Sequence, residues 1–158
     1  MKIGILGAGS IAHKMAETVG SMDKTEVYAV ASRSLEKAEN FAKQYQLPKA
    51  YGSYQEMLMD SYVDLVYVAT PHSHHYEHVK MCLEHGKHVL CEKAFMINSS
   101  QAKDVVGIAR KKKLLLAEAI WTRYMPSRTL IREAVDSGII GEVTSLTANL
   151  GYAIGNKE

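Results

Sequence analysis

The feature that most restricts the fold lies at the start of the chain, where a short apolar β-prone run, Ile3 to Leu6, ends in Gly7-Ala8-Gly9-Ser10-Ile11-Ala12. A G-x-G-x-x-A run between a strand and a helix suits very few architectures. Gly7 permits a tight turn, Gly9 lets the backbone approach a bulky ligand with no Cβ in the way, and Ala12 is small enough for the next helix to lie close on a sheet. That helix would begin with free N–H groups and the positive end of its dipole, so the ligand it suits is an anion such as a pyrophosphate.

The rest of the chain repeats the strand-then-helix rhythm expected of βαβ units. Strands are expected at 2–6, 27–31, 64–69, 88–91 and 114–117. The first helix carries Ile11, Met15, Val19 and Met22 at spacings of three and four, which predicts its buried stripe. Ser34 has the short hydroxyl of an N-cap ahead of Leu35, Ala38, Ala42 and Tyr45, a second stripe that stops before Pro48. A short helix follows at 54–59, a third long one at 72–85 closed by Gly86, a fourth capped by Asn98, and a fifth at 127–136 closed by Gly138. Alternation of this kind predicts an α/β fold, a Rossmann-type doubly wound parallel sheet whose ligands bind beyond the C-terminal ends of the strands.

Composition excludes several function classes. With 47% hydrophobic and 23% charged residues the chain is an ordinary globular one, and 19 basic against 17 acidic side chains leave a net charge of +2. So small a balance gives no reason to expect nucleic acid or a membrane surface as partner. The basic block Arg110 to Lys113 reads as the C-terminal end of a helix. Cys82 and Cys91 lie in apolar contexts with neither disulfide nor C-x-x-C spacing, which suits reduced core thiols in a cytoplasmic protein. Gly7 interrupts the first apolar run before a signal-peptide core could form, and no run approaches the ~18 apolar residues of a membrane span.

Where an NAD-preferring fold of this type carries a carboxylate at the end of its second strand, this chain has Ala31-Ser32-Arg33-Ser34. Two hydroxyls flanking a guanidinium offer donors to a 2'-phosphate that an Asp would repel, so NADP is favoured over NAD as cofactor. Six of the seven histidines fall between His72 and His88. On the third long helix His74, His78 and His85 share a polar face, whereas His75 falls with Val79 and Cys82 on the face turned to the sheet. No carboxylate or cysteine completes a zinc pattern, so a metal site is not expected. His72 and His75, just beyond a strand end, are site candidates. Lys93 stands at the next strand end, and two readings stay open for it: a surface charge, or a cation set against the reacting carbon. Glu92 beside it would pair with a neighbouring cation or hold the loop.

Three motifs in the right order, the Gly7 to Ala12 loop, Ala69-Thr70-Pro71-His72-Ser73-His74-His75, and Gly86-Lys87-His88-Val89 leading to Cys91-Glu92-Lys93, resemble the N-terminal half of the glucose-fructose oxidoreductase, inositol dehydrogenase and rhizopine-catabolism (Gfo/Idh/MocA) family. Glu118 to Pro126, containing Trp121 and Arg123, is similar to the branch of dihydrodiol dehydrogenases and NADP-linked xylose dehydrogenases. The resemblance implies that the turn from Thr70 and Pro71 to His75 flanks the cofactor's ribose and nicotinamide. It also implies that Lys93 is the catalytic lysine and that Trp121 and Arg123 lie beside nicotinamide and substrate. Hydride transfer between NADP and the CH–OH group of a sugar, polyol or diol is the implied reaction, with a homo-oligomer as the implied assembly. His72 replaces the family's usual Asn, and Ala94 replaces a Pro that would have fixed φ in the Lys93 loop. A non-catalytic dinucleotide-binding module is the alternative reading.

From Glu142 the rhythm changes. Leu146, Ala148, Leu150 and Tyr152 alternate with polar residues, which predicts a half-buried strand of a different sheet. The expected division is therefore a dinucleotide-binding domain over 1–141 and, over 142–158, the first strand of a truncated C-terminal α/β domain.

Overall fold

The computed structural model describes residues 1–151. A first compact unit, Met1–Ile120, holds six parallel strands: β1 (Lys2–Leu6), β2 (Glu26–Ala31), β3 (Lys49–Tyr51), β4 (Leu65–Val68), β5 (His88–Cys91) and β6 (Leu116–Glu118). Their order across the sheet is β3-β2-β1-β4-β5-β6. The chain thus moves outward from β1 in one direction, returns, and moves outward in the other from β4, which opens a crevice between the C-terminal ends of β1 and β4.

Helices α1 (Ser10–Gly20), α2 (Leu35–Tyr45), α3 (Tyr54–Met59), α4 (His75–Glu84) and α5 (Ser99–Lys112) connect the strands, with a one-turn 3-10 helix at His72–His74 ahead of α4. Two apolar cores result, one on each face of the sheet. Ile3, Ile5, Val30 and Tyr67 meet Ala12, Ala16, Ala38 and Phe41 on one face. Leu6, Val66, Val68 and Val89 meet Met57, Val79, Cys82, Leu83 and Val105 on the other. The alternation of Ile5 and Leu6 between the two cores is the period of two of a strand.

Capping follows the expected chemistry. Ser34 Oγ accepts from Lys37 N at 3.4 Å, and Asn98 Oδ1 accepts from Gln101 N at 3.0 Å. Arg110, Lys111 and Lys112 fill the last turn of α5, where the carbonyl end of the dipole favours cations. Cys82 and Cys91 are free and buried, and burial pushes the Cys91 thiol up to about 12.

One expectation needs correction, and one strand was not foreseen. The buried stripe of α1 is Ala12, Ala16 and Val19, while Ile11 and Met22 are 41% and 51% exposed. Small side chains face the sheet because the helix lies close to it, and the larger ones are turned outward. β3 escapes sequence reading because three residues are too short for a periodic signal. Residues 142–151, expected to be a strand of a different sheet, are exposed and outside any strand, and no neighbour pairs with them among the described residues. Tyr152, the last residue of that expected strand, lies outside the described residues. A second unit begins at Trp121 and is described by itself. It contains a 3-10 helix, Trp121–Tyr124, and α6 (Pro126–Asp136), which has Pro at its first turn and is followed by Gly138 at φ +71°.

Candidate functional site

Gly7 sits at φ +104°, and a Cβ there would meet Ala69 O and Thr70 Cγ2 at 3.2 Å. The turn therefore needs glycine for both conformation and space. A Cβ at Gly9, by contrast, would meet nothing within 4 Å, so the surface above that residue is open for a ligand. Helix α1 starts at this point with no side-chain cap and no acidic residue in its first turn, whereas α2 and α3 each have a serine cap and a first-turn glutamate. Its dipole end and first N–H groups stay free for an anion. An open patch over Gly9 and an uncapped helix start fit a dinucleotide's pyrophosphate.

The strand ends are laced into one rim. Gly7 N donates to Ala31 O at 2.9 Å, Ala69 N to Leu6 O at 2.9 Å, Glu92 N to Val68 O at 3.0 Å and Ala119 N to Cys91 O at 2.7 Å. Between these ends lies a cleft of about 320 Å³ lined by Ile11, Thr70, Pro71, His72, Glu92 and Lys93. Five candidates from the turns after β4 and β5 thus share one wall system with Ile11 of the glycine loop. Lys93 is exposed at the cleft, and no ion pair among the described residues includes it.

Glu92 holds the loop. Its carboxylate accepts from the Tyr67 hydroxyl on one oxygen and from Lys93 N at 3.1 Å on the other. Burial, and then the bond to Glu92, push the Tyr67 hydroxyl far above the ordinary tyrosine range, so Tyr67 stays a donor. Phe95 N donates to Glu118 Oε1 at 3.0 Å. These bonds constrain the loop that carries Lys93 and Ala94.

His75 is fully buried and does not reach the cleft surface. Its two ring nitrogens lie 2.8 Å from Thr70 O and Ala94 O, so it ties the turn after β4 to the loop after β5. It acts by positioning the walls. Sequence reading marked it as inward-facing through the Val79 and Cys82 register, but nothing local signals which carbonyls it joins.

At the other end of the rim, Ser32 is buried with its Oγ accepting from Ser34 N at 3.3 Å, and Arg33 extends into solvent. Both serine oxygens accept from backbone, which leaves their hydroxyl hydrogens available to a ligand. A residue that periodicity assigned to the solvated face, His78, is instead partly buried, with Nδ1 2.9 Å from Thr70 Oγ1. Trp121 and Arg123 are exposed in the 3-10 helix of the second unit.

A parallel sheet ordered 3-2-1-4-5-6, with a glycine turn and an uncapped helix start at its switch point, defines the dinucleotide-binding class of doubly wound domains. Residues 1–119 match the Gfo/Idh/MocA family model, described as an oxidoreductase family with an NAD-binding Rossmann fold, and the chain belongs to that family. It is 40% identical over 154 residues to trans-1,2-dihydrobenzene-1,2-diol dehydrogenase of Mus musculus, covering 96% of this chain and 46% of the relative. It is 44% identical over 162 residues to D-xylose 1-dehydrogenase (NADP(+)) of Hypocrea jecorina, covering 95% and 41%. Among solved structures, the 3-ketoreductase KijD10 of Actinomadura kijaniata, in complex with TDP-benzene and NADP, superposes with a TM-score of 0.84 at 31% identity, over 90% of this chain and 45% of that one. The chain spans about half the length of the curated relatives it matches.

Proposed function

We propose that this chain binds NADP at the β1/β4 crevice and forms the cofactor-holding part of a dehydrogenase that oxidises the CH–OH group of a sugar, polyol or diol. The observation that carries this reading is the single rim joining the open surface over Gly9, the uncapped start of α1 and the cleft at Lys93. In it, Gly7, Gly9, Ser10, Ile11 and Ala12 hold the pyrophosphate, while Ser32, Arg33 and Ser34 take the adenosine 2'-phosphate by charge-assisted bonds. Thr70, Pro71 and His72 flank the ribose and nicotinamide, His75 fixes that turn from beneath, and Glu92 anchors the backbone of Lys93. When bound, the nicotinamide supplies the hydride chemistry. The Lys93 side chain, held at the cleft by its loop, donates a hydrogen bond to the substrate hydroxyl oxygen and stabilises the negative charge that develops there as the hydroxyl proton passes to solvent. The roles of Trp121 and Arg123 at the nicotinamide end rest on the family resemblance.

Relatives named as dehydrogenases favour this reading over a non-catalytic module. We further assign the protein to the cytoplasm, because no helix among the described residues is long and apolar enough to cross a membrane and both cysteines are unpaired, and to a homo-oligomer by analogy with the family. Fluorescence titration with NADPH and NADH tests the cofactor choice. NADPH is expected to bind about tenfold or more tightly, and Arg33→Ala to remove most of that advantage. Equal affinities in the unaltered chain would overturn the role given to Ser32, Arg33 and Ser34. Lys93→Met is expected to lower turnover of a diol or sugar by about 100-fold or more with NADPH affinity nearly unchanged. Unchanged turnover would remove Lys93 from the mechanism.

A further inference from the structure

Beside Arg33 the rim carries a second, smaller depression of about 40 Å³, lined by Arg33, Tyr54, Thr70, Pro71, His74 and His78. Three of these side chains are basic or can become so, and none is a carboxylate. His78 is the best-defined of them: its ring stacks on His74 at 5.6 Å and 19°, and meets Tyr54 edge-on at 5.0 Å and 77°. The Thr70 hydroxyl, 2.9 Å from His78 Nδ1, has no other acceptor among the described residues. The Thr70 hydroxyl can donate to Nδ1 or accept from it, and in the charged ring Nδ1–H faces Thr70 while Nε2–H is left for a ligand. His78 Nε2 has no partner among the described residues.

The groups facing His78 come from four elements: His74 at the end of the 3-10 helix, His75 and Glu77 on its own helix, Arg33 from the turn after β2, and Tyr54 from α3. Burial holds the His78 imidazole below the usual histidine range; His74, His75 and Arg33 act in the same direction and Glu77 opposes them. Such a ring is neutral near pH 7.5 and holds a charge in reserve. A phosphate dianion within a few ångströms would favour the charged form.

We propose that His78 is a specificity-determining residue of the adenosine end, taking up a proton when a ligand bearing a 2'-phosphate seats beside Arg33 and so adding a second cation to the recognition of that phosphate. The inference rests on the NADP reading above. It predicts linkage between pH and cofactor choice: NADPH affinity rises as pH falls, by up to about tenfold per unit for a full proton, while NADH affinity does not. The second ionisation of a phosphate monoester lies near pH 6, so at pH 7.5 the ligand's own titration contributes little.

Calorimetric titration of the whole chain with NADPH and with NADH, at pH 7.5 in two buffers of different ionisation enthalpy, counts the protons directly. Expected are roughly half a proton or more taken up with NADPH, none with NADH, and none with NADPH in His78→Asn, which still binds it through Ser32, Arg33 and Ser34. His78→Gln provides a second variant should the first fail to fold, and His74→Asn should keep the uptake. A preference for NADPH without uptake, or uptake that persists in the His78 variants, overturns this inference alone. No preference for NADPH overturns the NADP reading and this inference with it.

Discussion

Gly7 is held at φ +104° with Ala69 O and Thr70 Cγ2 against the place a Cβ would occupy. Gly7→Ala should therefore destabilise the chain by about 1–3 kcal/mol in urea unfolding and weaken NADPH binding together with it. An unchanged midpoint would mean the turn relaxes elsewhere. His75→Ala should cost about 2–4 kcal/mol, since it removes the ring packed between Thr70 O and Ala94 O and opens a cavity beneath the cleft. How well single residues could be read from sequence follows from whether their role is local. The glycine loop is legible from its place between a strand and a helix, and Ser34 and Asn98 from capping chemistry. Tyr67 and His78 do not: one meets Glu92 across 25 positions, the other meets Thr70 across 8 and Tyr54 from another helix. Contacts set by packing across elements leave no periodic trace.

At the scale of elements, α1 is built to leave its N-terminus available, with Gly9 in place of a capping side chain. Ser10→Asp should thus have opposite effects on two properties. It should stabilise the free chain by about 0.3–1 kcal/mol through the helix dipole, and weaken NADPH binding about tenfold or more by placing a charge against the pyrophosphate. Loss of both stability and binding would argue against an anion site there. The short edge strand β3 is pinned differently, by the Tyr51 hydroxyl donating to Asp60 Oδ2 at 2.6 Å. Burial alone would raise the Asp60 carboxyl, but the Tyr51 hydroxyl, Tyr62 N–H, Tyr28 hydroxyl and Lys49 charge outweigh it and hold it below the usual range. Asp60 then contributes stability above its unfolded value that fades as pH falls through the lower folded one. Asp60→Asn should flatten the stability curve between about pH 2 and 5, and parallel curves would contradict this. Strand and helix order was readable because each long element carries its own period. The packing face of α1 was not: hydrophobicity ranks Ile11 and Met22 above Ala12 and Ala16, while close helix–sheet contact selects the smaller pair.

For the whole molecule, one candidate surface emerges from four separated stretches, residues 7–12, 32–34, 70–78 and 92–93, because a doubly wound sheet brings every strand's C-terminal end to the same edge. That convergence explains why residues just beyond strand ends could be named as candidates from sequence, while their individual contacts could not. A strand is a property of a pair, so alternation over residues 142–151 does not by itself form one. The central claim is that a dinucleotide lies across the β1/β4 crevice. Backbone amide ¹⁵N–¹H correlation spectra of the chain, recorded as NADPH is added, test it most directly. The largest shifts are expected to cluster at Gly9, Ser10, Ile11, Arg33, Thr70, His72 and Lys93, with the N-terminal ends of the strands unmoved. Saturable shifts centred elsewhere, or none at all, would contradict it.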